Sequence, residues 1–240
     1  MVSSDLHTGR GSAASVGVPV SVRLLTASGS RRVDYGTLGD DVPMHLVRYS
    51  HSCVRLELDG VVVVVDPGAW SEPEAVLGAD AVLVTHEHAD HVDESRLIDP
   101  ACPVFAPAGA ALTGIEFEAV HPGRSVTVAG LEVDVVGGRH AAVLDGQRTC
   151  PNVGYLIGGV YHPGDALDPP PRPVDTVLVP MQASWLKTAE AVSFLQACQY
   201  RRAIGIHDGQ INDRGIESTS HWYGVGSDGR YEYLPPGSST

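Results

Sequence analysis

The segment Thr85-His-Glu-His-Ala-Asp-His91 places four potential metal ligands, His86, His88, Asp90 and His91, directly after the apolar run Ala81-Val-Leu-Val84. Imidazole nitrogens and a carboxylate are borderline donors that suit Zn²⁺, and neighbouring side chains in an extended turn can converge on two ions. Without a cation, so many such groups desolvated together would be costly. Scattered solvated histidines are the bland alternative in a chain with 11 of them, but scatter does not explain this density. The spacing predicts a strand ending in a metal site, and hence a two-metal hydrolase.

The pattern His-x-His-x-Asp-His resembles the signature of the metallo-β-lactamase superfamily, and the resemblance runs from about Met44 to Pro236. Three further residues stand where that family has ligands. His140 follows the run Leu131-Glu-Val-Asp-Val-Val136, Asp165 follows Val160-Tyr-His-Pro-Gly164, and His207 follows Ala203-Ile-Gly-Ile206. Each closes an apolar, β-branched run, so ligands far apart in sequence can meet where neighbouring strands end. The resemblance implies that His86, His88 and His140 hold one ion, that Asp90, His91 and His207 hold a second, and that Asp165 bridges them. Zn²⁺ is the expected metal, with Mn²⁺ or Fe²⁺ able to use the same donors. Asp66, which ends Val61-Val-Val-Val-Val65, resembles the family's first motif, where an aspartate braces the metal loop through hydrogen bonds. A turn carboxylate ahead of Pro67-Gly68 is its alternative reading.

Two segments, Tyr49-Ser-His-Ser-Cys-Val-Arg-Leu56 and Ile204-Gly-Ile-His-Asp208, are similar to the small bacterial branch that contains ascorbate-6-phosphate lactonase-like proteins. By resemblance, two ions about 3.5 to 4 Å apart would share and acidify a water, and would take up the charge that develops on the substrate oxygen. Asp90 and Asp165 are then the catalytic carboxylates, Asp90 also placing the water or passing a proton. The expected reaction is hydrolysis of a small ester, lactone or amide. A phosphodiesterase or nuclease of the same superfamily is the alternative, and an iron oxidoreductase or non-catalytic metal protein is a third reading. His51, Tyr161, His162 and Trp185 are candidate substrate contacts. His51 reads equally as a turn residue, and His162, just before Pro163, as a structural or bracing one. His121 and His221 lie among polar residues and read as solvated.

Such ligands need strand ends that meet. Val54–Leu58 and Val61–Val65, joined by Asp59-Gly60, read as a hairpin whose first strand buries one face and whose second is buried on both. Further strands are expected at residues 81–84, 103–105, 125–128, 131–136, 153–157 and 176–179. Short helices are expected at 72–77, 94–98 and 108–112. A longer helix is expected at 189–199, with Thr188 as N-cap and Glu190 in its positive first turn. With the resemblance, this alternation gives an α/β fold, an αββα sandwich of two similar halves with the metals at one edge of the sheets.

A chain of 240 residues, 43% apolar, can bury a single core, and residues 44–240 are expected as one catalytic domain. Residues 1–43, rich in Ser, Gly, Ala and Thr, read as a disordered extension, with Met44 a candidate native start. The net charge of −13 exceeds the roughly four positive charges two divalent ions would add, so the loaded protein stays acidic. With Lys187 the only lysine and no basic run longer than the pairs Arg31-Arg32 and Arg201-Arg202, a nucleic-acid partner has no support. A small-molecule substrate is expected, and the sequence carries no signal for an oligomeric state. Cys53, Cys102, Cys150 and Cys198 form no Cys-x-x-Cys pair and read as reduced thiols, Cys53 and Cys198 in the core and Cys150 in a loop. No segment reads as a membrane span or secretory signal, so the cytoplasm is the expected compartment.

Overall fold

The computed structural model describes residues 44–98 and 101–240. The expected disordered extension, residues 1–43, lies outside the described residues. Two sheets carry the fold. The first runs in sequence order through β1 (His45–Arg48), β2 (Val54–Leu58), β3 (Val61–Val65), β4 (Ala81–Leu83), β5 (Val104–Pro107) and β6 (Glu118–Val120). The second contains β7 (Ser125–Val128), β8 (Leu131–Gly137), β9 (Val153–Ile157), β10 (Val160–His162), β11 (Val174–Pro180), β12 (Tyr200–Ile206) and β13 (Tyr231–Glu232), ordered from β13 back to β7.

The β2–β3 hairpin pairs Leu58 with Val61. Its two loop residues both have left-handed backbones, Asp59 at φ 52° and Gly60 at φ 82°, the geometry that matches the twist of the flanking strands. In β3 the period-2 alternation of a strand sends Val63 and Val65 into the space between the sheets and Val64 outward against Cys53 and Ala75. An unbroken valine run is therefore what a strand buried on both faces requires. The main core fills the sandwich with Leu56, Leu83 and Phe105 from one sheet and Val135, Tyr155, Leu178 and Ile206 from the other. Two polar ties cross between the sheets beside the metal loop: the Tyr155 hydroxyl donates to the Val84 carbonyl at 2.9 Å, and the Val153 amide to that of Thr85 at 3.0 Å.

The outer layers differ from expectation. Residues 72–77 and 94–98 form only 3₁₀ turns, Pro73–Val76 and Glu94–Arg96, and 108–112 form a turn and irregular chain. Segments this short do not repay helix nucleation, and Gly109 at φ 87° leaves the helical region. Real helices cover the second sheet: α1 (Thr188–Ala197) and α2 (Asp213–Gly226) bury Ala191, Phe194, Leu195 and Tyr223 against Val177 and Val179. The two halves are thus alike in their sheets and unlike in their helices. Lys187, not Thr188, holds the N-cap position of α1, with no side-chain cap, while Glu190 does lie in the first turn. Sequence patterning missed α2, which carries Gly215, Gly224 and Gly226; Asn212 caps it by accepting from the Gly215 amide at 3.1 Å. No helix among the described residues is long and apolar enough to cross a membrane.

Candidate metal centre

The ligand candidates follow the ends of β4, β8, β10 and β12. Asp66, just past β3, organises the loop after β4. Its carboxylate accepts from the Thr85 amide and hydroxyl, both at 2.7 Å, and lies 2.6 Å from His91 Nδ1. Gly68 lets the loop close, because a Cβ there would overlap the Asp90 carbonyl. Three of the six non-glycine residues in the left-handed region among the described residues, His51 at φ 63°, Asp66 at φ 53° and His207 at φ 59°, lie at this edge, where surrounding contacts hold them in place.

Seven residues expected as ligands come together. Their donor atoms form three overlapping groups whose members all lie within 4.8 Å of one another: His86, His88 and His140; His86, His91 and Asp165; and Asp90, His91 and His207 with His51. Asp165 sits between the sets. Its Oδ2 lies 3.3 Å from His140 Nε2 and 3.2 Å from His207 Nε2, and its Oδ1 lies 3.2 Å from His91 Nε2.

Hydrogen-bond partners fix which nitrogen of each ring faces inward. His91 Nδ1 donates to Asp66, His140 Nδ1 to the Ala141 carbonyl at 2.6 Å, and His207 Nδ1 to the Gln182 carbonyl. The Thr85 hydroxyl gives its proton to Asp66 and so accepts from His86 Nδ1 at 3.0 Å. In its neutral form each of the four rings therefore has its unprotonated nitrogen at Nε2. His88 is turned the other way, with Nδ1 3.1 Å from His86 Nε2, and its Nε2 is 3.8 Å from Cys150 Sγ. His91 Nε2, His207 Nε2 and Asp165 Oδ1 are buried without any hydrogen-bond partner. Buried polar atoms are rarely left so; lone pairs converging on shared space fit divalent cations, and the nitrogen and carboxylate donor set suits borderline ions such as Zn²⁺.

Charge shapes the same site. Burial would lower the His91 pKa, but the Asp165 and Asp66 carboxylates outweigh it and hold the imidazole well above its ordinary value. Burial likewise opposes ionisation of Asp165, yet His91, His140 and His207 keep its carboxyl well below the usual range. Asp90 is depressed to about 2, burial being overcome by the hydrogen bond from His51 and the charge of His91. Burial lowers His86 and His88.

The candidate substrate contacts divide. Trp185 is half-buried and donates from Nε1 to Asp165 Oδ2 at 3.0 Å. Tyr161 is instead fully buried in the core beneath α1, its hydroxyl donating to the Asp168 carbonyl at 2.6 Å. His162 is also buried, between the Ser52 carbonyl at 2.9 Å and the Gly164 amide at 3.1 Å, where it ties two loops together. His51 is buried inside the cluster, with Nε2 3.1 Å from Asp90 Oδ2. Two neighbours escaped sequence reading. Trp70, 45% exposed, sets its ring 4.8 Å from that of His51, and its only signal was its place four residues after Asp66. Cys150 reads as a loop thiol, and nothing in its spacing announces His88. His121 and His221 are exposed, and all four cysteines are free, Cys53 and Cys198 buried.

The profile of the Beta-lactamase superfamily domain matches residues 46–207. Protein Rv0786c of Mycobacterium tuberculosis is 37% identical over 188 residues, covering 72% of this chain and 89% of its own length. The UPF0173 metal-dependent hydrolase MK1542 of Methanopyrus kandleri is 31% identical over 148 residues, 51% of this chain and 62% of that relative. Among solved structures, Igni18, a metallo hydrolase from Ignicoccus hospitalis, superposes with a TM-score of 0.63 at 16% identity, covering 82% of this chain and 97% of its own. With strand order, ligand-bearing edge and family profile in agreement, the chain belongs to the beta-lactamase superfamily, among metal-dependent hydrolases of the metallo-β-lactamase fold.

Proposed function

We propose that the chain is a two-metal hydrolase acting on a small ester, lactone or amide, with His86, His88 and His140 holding one ion, Asp90, His91 and His207 the other, and Asp165 shared by both. The carrying observation is the Asp165 carboxylate set between histidines of both groups, facing buried nitrogens that have no protein partner. Two divalent ions held there, Zn²⁺ in this reading, would supply Lewis acidity and lower the pKa of a bound water toward neutrality. The chain's own contribution is geometric and electrostatic. Asp66 and Thr85 fix the His86 and His91 rings, and Trp185 steadies Asp165 from the half-open side. Asp90, whose side chain keeps 20% exposure, is the cluster carboxylate placed to take up or pass a proton at the mouth.

The surroundings favour a small substrate over a phosphodiester backbone. Among the described residues, every ion pair recorded for Asp90 and Asp165 is to histidine. The buried Arg48 lies behind the site on Asp208, at 2.5 Å. A backbone-binding enzyme would line the mouth with several exposed cations, whereas the exposed guanidinium of Arg139, next to His140, is tied to the Thr149 carbonyl. Resemblance of the Tyr49–Leu56 and Ile204–Asp208 segments to the lactonase-like branch supports the same choice. The test is turnover by the zinc-loaded protein of a panel of lactones, esters, amides and bis-phosphodiesters. Cleavage of an ester, lactone or amide is the expected result, and cleavage of diesters alone would replace this reading with the phosphodiesterase one.

A further inference from the structure

We infer that His51 is a positioning residue for Asp90, a hydrogen-bond donor to that carboxylate and not itself a metal ligand; the inference rests on the two-metal reading of the site. Distance alone would count His51 among the ligands, since it lies with Asp90, His91 and His207 inside one group of donors. Its hydrogen bonds say otherwise. The Gly209 amide donates to His51 Nδ1 at 3.1 Å. A nitrogen that accepts carries no proton, so the neutral ring is protonated at Nε2, 3.1 Å from Asp90 Oδ2. His86, His91, His140 and His207 are arranged in the opposite sense: each donates from Nδ1 and leaves Nε2 unprotonated toward the site.

The orientation is firmly held. Turning the ring over would put carbon atoms at both contacts and lose both hydrogen bonds. Glycine at 209 is needed for the amide to come so close, because a Cβ there would lie 2.9 Å from His51 Nδ1. The left-handed backbone of His51, φ 63°, is pinned from three directions. Its amide donates to Asp208 Oδ1 at 3.2 Å, its carbonyl accepts from the His207 amide at 2.9 Å, and Arg48 reaches the same carbonyl at 3.4 Å. Such a strained residue, fixed by a buried Arg48–Asp208 pair, is what pre-organisation of a neighbouring group requires. Pinning Asp90 Oδ2 removes rotamer freedom from the most open carboxylate of the second set, which is how an outer partner raises the affinity of a ligand for its metal.

The experiment uses zinc-loaded protein and two variants. In long-range ¹H–¹⁵N spectra, His51 is expected to show a protonated, zinc-free Nε2, while the His91 and His207 Nε2 atoms give zinc-bound shifts. His51→Gln keeps an N–H at the reach of Nε2, whereas His51→Asn tolerates the left-handed backbone but is too short to meet Asp90. Second-site zinc affinity should stay within about threefold of the native value in His51→Gln and fall about 10- to 100-fold in His51→Asn, with the first site unchanged in both. A zinc-bound Nε2 on His51, or a glutamine variant as damaged as the asparagine one, overturns the inference. Failure of the native protein to take up a second ion would instead remove the two-metal reading, and the His51 spectrum would still decide whether its Nε2 carries the proton.

Discussion

His91 Nε2 faces Asp165 Oδ1 at 3.2 Å, and neither atom completes a hydrogen bond with the protein. Because His91 donates its Nδ1 proton to Asp66, the neutral ring turns a lone pair toward a carboxylate. That contact is repulsive unless something positive occupies it. In metal-free protein a second proton on His91 supplies the charge, which is why two carboxylates raise its pKa against the effect of burial. A divalent ion held there would satisfy both atoms at once and take the place of that proton.

Asp165→Asn exchanges one shared oxygen for an amide nitrogen among three histidine nitrogens. We expect zinc content to fall toward one ion or fewer per chain and turnover to drop more than about 100-fold, beyond the range for outer partners. Elemental mass spectrometry with a turnover assay checks this, and two ions with unaltered turnover would show that Asp165 bridges nothing.

Asp66→Asn tests the brace. The carboxylate takes two hydrogen bonds from Thr85 and one from His91, and an amide cannot accept all three. Zinc affinity should fall about 10- to 100-fold, with about 1 to 3 kcal/mol of stability lost to the unsatisfied buried groups. Isothermal titration and denaturant unfolding read the two effects. Native-like zinc binding would reduce Asp66 to a turn residue.

Metal-free protein should lose stability as pH falls below about 6.5. Burial lowers the pKa values of His51, His86, His88 and His162, so between 6.5 and their folded values the unfolded chain binds protons that the native state does not. Their contribution is present above 6.5 and lost as pH drops. His91, with a raised pKa, has the opposite sign: it stabilises below 6.5 and that contribution is lost as pH rises through its folded value. Four groups against one predict a lower urea midpoint at pH 5.5 than at pH 7.5, and an unchanged or higher midpoint would refute the balance.

Gly68→Ala drives a methyl group into the Asp90 carbonyl. Since the obstacle is backbone, the loop must move, at a cost of about 1 to 3 kcal/mol, carrying Asp90 and His91 out of register. Thermal unfolding should show a reduced Tm and zinc titration a weakened second site. Native values for both would mean the loop yields freely.

Much of this was legible because the signals were local. His86, His88, Asp90 and His91 sit in one loop, the β2–β3 turn is spelled Asp-Gly, and the valine run of β3 has no reading except a buried strand. Family resemblance then supplied the pairing of His140, Asp165 and His207, which no local pattern links. What stayed hidden depends on tertiary placement. The 3₁₀ turns after Glu72 and Asp93 carry helix-like residues too few to nucleate, and α2 is obscured by three glycines. Tyr161 and His162 look polar enough for a pocket, yet partners on Asp168 and Ser52 draw them inside. His51 reads equally as a substrate contact and as a turn residue, and by backbone it is the latter; its contact with Asp90 spans 39 positions, and its orientation comes from Gly209 on a different strand end.

Metal content per chain, measured by elemental mass spectrometry on protein purified without added metal or a polyhistidine tag, tests the central claim most directly. The account predicts about two divalent ions per chain, chiefly zinc. Protein that carries none, and takes up none on reconstitution, would contradict it.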